Sequence, residues 1–501
     1  MMKRLISRIL PVVAAIVFLV PLAVSPAFAA TRSLSLGMSG ADVTTLQKEL
    51  IAKGYLSGSA TGYFGSLTQA AVEKFQCAES IICADAGVTG YGIAGPKTQS
   101  ALANSNSVVA GGAQPSDISL GNLTPAATGA FEVSGWLPDW RAASSSIDVM
   151  PHIGDFTSVM PFGYGVSSTG QILDSAHIGQ APWPSVIAAA KAAKVRVIPT
   201  IMWGDGVSEQ AVLSNATSRI ALEDAIANLV KTNGYDGIDI DFEAKQAETK
   251  DYFSTFLKGL YQRMGSKWVY CAVEARMPLQ DRYLPTDTVP SDATEYANDY
   301  TAINKYCDRV ELMAYDQGTV DKRLDIARTA PYAPVADPGW VADLVDMAAQ
   351  TISRNKIIVG IPTYGYEYSV TPTVIGYQYS RLWAFNPAYA TGIAAQLGIT
   401  PSRTSAGELG FTYNPATLAA LAPSGSDSTV TQQDSTPTTT IANNLGSTVN
   451  TNQPFNYITW SDAQAMQDKI TLAHQLGVRG IAFFSLGGAE DQGLWSLLSS
   501  R

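Results

Sequence analysis

A chain of 501 residues with 46% hydrophobic and 15% charged residues can bury a large core, which excludes a disordered protein and leaves room for several domains. Its formal net charge of −10 argues against nucleic acid as a partner, since a polyanion is held by basic surfaces. His152, His177 and His474 lie far apart and the four cysteines lack zinc spacing, so no metal and no cofactor is called for.

At the start, Lys3, Arg4 and Arg8 precede an apolar run from Ile9 to Val24, and Ala27-Phe28-Ala29 supplies small residues for cleavage. Residues 1–29 therefore read as a secretory signal, with an uncleaved anchor as the alternative; Pro11 and Pro21 inside the run favour cleavage. No later stretch approaches the roughly 20 apolar residues that a spanning helix needs. The expected product is a secreted or wall-associated protein without stable membrane insertion, in a compartment where disulfides persist.

Residues 33–103 form a compact segment with helical spacing in Val43, Leu46 and Leu50 and again in Ala71, Val72 and Phe75. It contains a repeat: the Gly-rich turn Thr61-Gly-Tyr-Phe-Gly-Ser-Leu-Thr68 is echoed by Thr89-Gly-Tyr-Gly-Ile-Ala-Gly-Pro-Lys-Thr98, each leading into a helix start. Cys77 and Cys83 are close enough to pair across a short loop. Residues 104–130, rich in Ser, Ala, Gly, Asn and Pro, read as a linker.

From 131 to 501 the chain alternates apolar runs with amphipathic segments. The runs are Val133–Leu137, Phe156–Phe162, Val195–Ile201, Gly237–Phe242, Trp268–Val273, Arg309–Ala314, Lys356–Ile361 and Gly480–Ser485. Eight strands alternating with helices predict an α/β fold, a (β/α)8 TIM barrel, whose functional residues sit at the C-terminal strand ends. The interval from Tyr364 to Tyr457 is too long for one barrel helix, so an insertion, 369–456, is expected between strands seven and eight. Its part from Pro423 to Gln453 reads as an exposed loop. Cys271 and Cys307 start neighbouring strands and are either bridged or two buried thiols.

The fourth strand carries the chemistry. In Gly237-Ile-Asp-Ile-Asp-Phe-Glu243, Asp239, Asp241 and Glu243 occupy alternate positions and share one face, while Ile238, Ile240 and Phe242 face a packed layer. Three carboxyls this close resist ionising together, so one holds a proton near neutral pH, as a general acid must. A calcium loop would need Gly and polar spacers instead of Ile and Phe. A purely architectural cluster would need cations to pair with.

Asp236, Asp239, Asp241 and Glu243 have the D-x-x-D-x-D-x-E spacing of glycoside hydrolase family 18, and the chain resembles that family's chitinase-like barrels, in the branch of bacterial cell-wall and spore-germination lysins. Met313-Ala-Tyr-Asp-Gln317, Phe484-Ser-Leu-Gly-Gly-Ala-Glu-Asp491 with Trp495, and Tyr457-Ile-Thr-Trp-Ser-Asp-Ala463 agree. The N-terminal segment, through Leu36-Gly-Met-Ser-Gly-Ala-Asp-Val43, Leu46-Gln47 and Gly62-Tyr-Phe-Gly65, resembles the type 1 peptidoglycan-binding domain, a three-helix module. The resemblance implies a retaining glycosidase in which Glu243 is the acid/base and Asp241 orients the sugar's own acetamido group. Asp239 would share a proton with Asp241, Tyr315 would bond the acetamido oxygen, and Asp236 and Gly237 would be structural.

Trp140, Trp203, Arg276, Met313, Asp316 and Phe484, at strand ends, are the expected substrate contacts. Two departures separate the chain from typical chitinases: Phe484 stands where the family usually has Trp, and Ile201-Met-Trp-Gly204 lacks the Ser-x-Gly-Gly element. The expected partner is peptidoglycan or a chitin-type polysaccharide.

Overall fold

The computed structural model describes residues 33–499 apart from 57–59, 80, 83–89, 96–97, 100, 103–122, 285–286, 327–330, 374–375 and 422–452. The expected signal, Cys83, most of the linker and most of the Pro423 to Gln453 segment thus lie outside the described residues.

Eight parallel strands close into a barrel: Glu132–Leu137, Ser158–Val166, a third in two pieces, Gly237–Phe242, Trp268–Glu274, Arg309–Met313, Ile357–Pro362 and Gly480–Phe484. Closure comes from strand one, which pairs with both strand two and strand eight. The third strand is Arg196–Val197 and Thr200–Trp203, broken around Pro199, which has no N–H to give to a ladder. Strand two runs on to Val166, beyond the expected end at Phe162.

Alternation sorts the side chains. Ile238, Ile240 and Phe242 face outward and are buried against the helices Ala216–Asn233, through Leu222, Ile226 and Val230, and Lys250–Met264, through Phe253, Phe256, Leu257 and Leu260. Phe242 stacks on Phe256 at 5.3 Å. The first of these helices starts on the Asn215 side chain, which accepts from Thr217 and Ser218, and ends at Gly234 in the left-handed conformation (φ 61°). Inside the barrel, Trp136, Met160, Ile198, Tyr270, Ala272, Ile358 and Ala482 form a second core. The Cys271–Cys307 bridge is formed, tying strand five to the start of strand six. Cys77 is disulfide-bonded as well.

At the N-terminal end of the barrel, Glu132 is a hub. It accepts from Arg196 (2.8 Å) and from Nε and Nη2 of Arg309, with Arg479 at 4.0 Å. Burial pushes the Glu132 carboxyl up, but the Arg309 hydrogen bond and the three guanidinium charges outweigh it and hold the group below its usual value.

The N-terminal region is helical, with Ala41–Ala52, Ser66–Ala78 and further helical residues at 98–99 and 101–102. The sequence repeat has a structural counterpart in two buried glutamines. Gln47 donates to the Tyr63 carbonyl (2.7 Å) and Thr68 Oγ1 (2.9 Å) and accepts from Gly62 N–H (2.7 Å). Gln76 donates to the Ile93 carbonyl (2.9 Å) and Thr98 Oγ1 (2.9 Å) and accepts from Gly92 N–H (2.9 Å). Each Gly-rich turn is thus wrapped around one amide, which satisfies turn groups that no ladder reaches.

The insertion is an antiparallel sheet in the order Tyr377–Phe385, Gly365–Pro372, Phe455–Trp460, Leu409–Tyr413, Ser402–Arg403, with the helix Pro387–Leu397 against it. It starts at Gly365 and ends at Trp460, a few residues outside the expected 369–456, because both flanking segments are central strands of this sheet. Buried Glu408 fastens it to the barrel by accepting from the N–H groups of Val335 and Ala336, each at 2.8 Å.

Candidate active site

The carboxyls of strand four stand in a row from the barrel interior to its C-terminal mouth. Asp239 is fully buried, Asp241 is 4% exposed, and Glu243 is half-buried at the rim. The register aligns Thr200 with Asp239 and Met202 with Asp241. Below them, Asp236 accepts from Val197 N–H (2.9 Å), a structural bond between strands. A Cβ on Gly237 would lie 2.3 Å from the Trp268 carbonyl oxygen, so only glycine lets strands four and five approach here.

Asp239 Oδ2 accepts from Trp136 Nε1 (3.0 Å) and Thr200 Oγ1 (2.8 Å). Its carboxyl partner is Glu311 of strand six, where the sequence had suggested Asp241. Asp241 is instead hydrogen-bonded to Glu243. Burial, followed by the charges of Glu243 and Asp239, pushes the Asp241 carboxyl well up; burial and then the Glu274 charge raise Glu243. Two carboxyls this close resist ionising together, which favours a single proton held between Asp241 and Glu243.

The turn after Glu243 is clamped. Ala244 adopts φ 56°, its N–H donates to Glu274 Oε1 (2.9 Å), and a Cβ on Gly206 would lie 2.1 Å from its carbonyl oxygen. The Lys245 side chain, 1% exposed, folds back to the Phe242 carbonyl and lies 3.7 Å from Glu274. Its charge opposes the rise of both Asp241 and Glu243.

These groups open into a cleft of about 460 Å³ lined by Trp136, Trp140, Met202, Met313, Tyr315 and Phe484 with Asp241, Glu243 and Asp316. Tyr315 is buried, and burial with the Asp241 charge pushes its phenol well up, so it stays a donor. A Cβ on Gly360 would lie 2.6 Å from the Tyr315 ring, so that glycine makes the ring's seat. Phe484 stacks on Tyr315 (5.2 Å, 12°) and meets Trp136 edge-on (5.7 Å). Trp140, 53% exposed, stands at the mouth against Phe162. Asp316, left-handed at φ 64°, accepts from the hydroxyls of Tyr364 and Tyr366, the latter on the first strand of the insertion. The insertion therefore positions a carboxylate of the cleft.

Two expected contacts lie elsewhere. Trp203 is 3% exposed and packs outward on Phe242 (5.4 Å), its indole N–H donating to Ser208 Oγ, because Thr200 and Met202 take the inward positions of that strand. Arg276, two residues past strand five, is held between the rings of Tyr296 (3.9 Å) and Tyr300 (4.0 Å) beside a separate cavity. The sequence reading also passed over Glu311, Glu274, Lys245, Trp136 and Met202. Among the described residues no His, Cys, Asp and Glu group could hold a metal ion, and no helix is long and apolar enough to cross a membrane.

The family model for glycosyl hydrolases family 18 matches residues 142–489, and that of a peptidoglycan binding domain matches residues 39–102. The uncharacterized glycosylase YvbX of Bacillus subtilis is 30% identical over 166 residues, 33% of this chain and 44% of the relative. The cortical fragment-lytic enzyme of Bacillus subtilis is 23% identical over 296 residues, 58% of this chain and 55% of the relative. The chain thus spans only about half the length of these relatives. The crystal structure of the Bacillus megaterium spore cortex-lytic enzyme SleL shares the fold, with a TM-score of 0.53 at 19% identity over 74% of this chain and 73% of that one. With a barrel of this topology, a carboxyl row at its mouth and a family match over most of the chain, the protein belongs to the glycosyl hydrolases of family 18.

Proposed function

We propose that the protein is a secreted N-acetylglucosaminidase that cleaves β-1,4-linked N-acetylglucosamine glycans, peptidoglycan first, by a retaining, substrate-assisted mechanism. The observation that carries the reading is the close carboxyl pair Asp241–Glu243 at the mouth of an aromatic cleft, with Tyr315 lining the same cleft. In this reading Glu243 protonates the glycosidic oxygen as the acetamido carbonyl oxygen of the substrate attacks the anomeric carbon. Asp241 then bears the charge of the oxazolinium ion and Tyr315 donates to the acetamido oxygen. Water opens the ion from the face the leaving group vacated, Glu243 takes its proton, and configuration is retained.

Peptidoglycan is preferred over chitin because a module of the peptidoglycan binding family precedes the barrel, and tethering raises the local concentration of the polymer it grips. A relative named a cortical fragment-lytic enzyme points the same way. The test is incubation of the purified protein with peptidoglycan and with chitin oligomers, followed by mass spectrometry. Fragments reducing at N-acetylglucosamine from peptidoglycan support the reading. Products from chitin alone would make it a chitinase, and binding without products a lectin.

A further inference from the structure

Strand six repeats the alternation of strand four: Glu311, Met313 and Tyr315 share the inward face as Asp239, Asp241 and Glu243 do. Met313 and Tyr315 line the cleft, so Glu311 sits one layer below it, fully buried. Side chains of alternate strands meet in one layer of a barrel interior, which brings strands four and six together across strand five. Strand five leaves space for that meeting, because the residue in register with Glu311 is the small Ala272.

Neither Glu311 oxygen has a nitrogen or hydroxyl partner. The two carboxyls are hydrogen-bonded to each other. Such a bond exists only if one of them carries a proton. Trp136, Thr200 and the Ala272 N–H already serve Asp239 as donors, which suit the anion, whereas Glu311 has none and feels the charges of Asp239, Asp241 and Glu132. The proton therefore belongs to Glu311.

We propose that Glu311 is a positioning residue of the active site: as a neutral acid it gives Asp239 a further donor, keeps it a carboxylate, and so leaves the proton of the row to Asp241 and Glu243. Without that donor Asp239 competes for the proton, and Asp241 is drawn away from Glu243. This rests on the glycosidase reading above, in which Asp241 and Glu243 act together.

A neutral Glu311 makes the test clean, since Gln and Met both leave the charge of the site unchanged and differ in whether they can donate. Glu311→Met is expected to lower kcat about 10- to 100-fold with KM little changed, and to move the acidic limb of the kcat profile to higher pH, because a carboxylate that loses a donor holds its proton more tightly. Glu311→Gln, whose amide still donates, is expected to restore most of kcat and the original limb. Glu243→Gln, run beside them on the substrate that the wild type cleaves, tests the underlying reading: an active Glu243→Gln sinks both. If Glu243→Gln is dead while the two Glu311 variants behave alike, the Glu311 role alone is overturned. Should Glu311→Met fail to fold, difference infrared spectra of wild type and Glu311→Gln decide. Loss of one buried protonated-carboxyl band at neutral pH supports the proposal, and no loss overturns it.

Discussion

The two ends of the barrel interior hold carboxyls in opposite ways. At the N-terminal end Glu132 is surrounded by Arg196, Arg309 and Arg479 and stays ionised below its usual range. At the C-terminal end Asp239, Asp241, Glu243 and Glu311 crowd one another and are all pushed up, with Lys245 the cation that opposes the rise of Asp241 and Glu243. The difference is one of purpose that chemistry can read: a carboxyl that only has to tie strands together is best paired, and one that must hold and release a proton is best left among its own kind. Both ends are buried, so burial alone does not separate them. What separates them is which strand ends carry arginine.

The sharpest way to break this comparison is to remove the function of one end and the architecture of the other. Glu243→Gln keeps shape and hydrogen-bonding capacity but cannot give a proton, so the rate is expected to fall about 10²- to 10⁴-fold, with the thermal midpoint nearly unchanged. Initial rates alongside a melting curve check this. Glu132→Ala strands buried guanidinium groups and is expected to destabilise the fold by about 3–5 kcal/mol, read from denaturant unfolding, while kcat per folded molecule stays within about twofold. If Glu132→Ala lowered kcat as Glu243→Gln does, the two ends would not be separable and the reading of the lower end as architecture would fall.

How much of this was legible in the sequence depended on whether alternation could be seen. The row at Asp239, Asp241 and Glu243 was readable because three acids punctuate an apolar strand. Glu311 obeys the same alternation with Met313 and Tyr315, yet one acid in Arg309-Val-Glu-Leu-Met313 looks like an ordinary strand residue. Its meaning comes from a contact across strand five. Trp203 misled because parity in strand three is hidden by the break at Pro199; only the register of Thr200 with Asp239 shows that Trp203 must face outward. Arg276 lies past the end of its strand, where alternation no longer constrains direction. The sheet of the insertion went unread although Tyr366 and Tyr368 alternate with Glu367, because that acid's partners, Tyr389, Tyr413 and Asn456, come from distant segments.

The smallest expected effect sharpens the comparison in a single variable, pH. Glu209, fully buried behind the Glu243 turn with neither oxygen partnered, is pushed up from 4.5 to about 8 by burial, with Lys245 opposing and Glu274 adding to the rise. It is neutral in the folded chain over a range in which the unfolded chain ionises it. Folded protein then binds the extra proton, so the stability Glu209 contributes is complete below about 4.5 and is lost as pH rises toward about 8. Glu132 has the opposite sign: its folded value is depressed, so its contribution is present above 4.5 and is lost as pH falls. Melting midpoints measured from about pH 5 to about pH 9 should therefore decline for the wild type. They should decline by less for Glu209→Gln, which is neutral throughout and cannot ionise on unfolding. Glu132→Gln should leave that alkaline slope as it is and flatten only the acidic one. Equal slopes for wild type and Glu209→Gln would mean that Glu209 is ionised in the folded protein, and the carboxyls behind the cleft would then be held by cations after all, as they are at the other end.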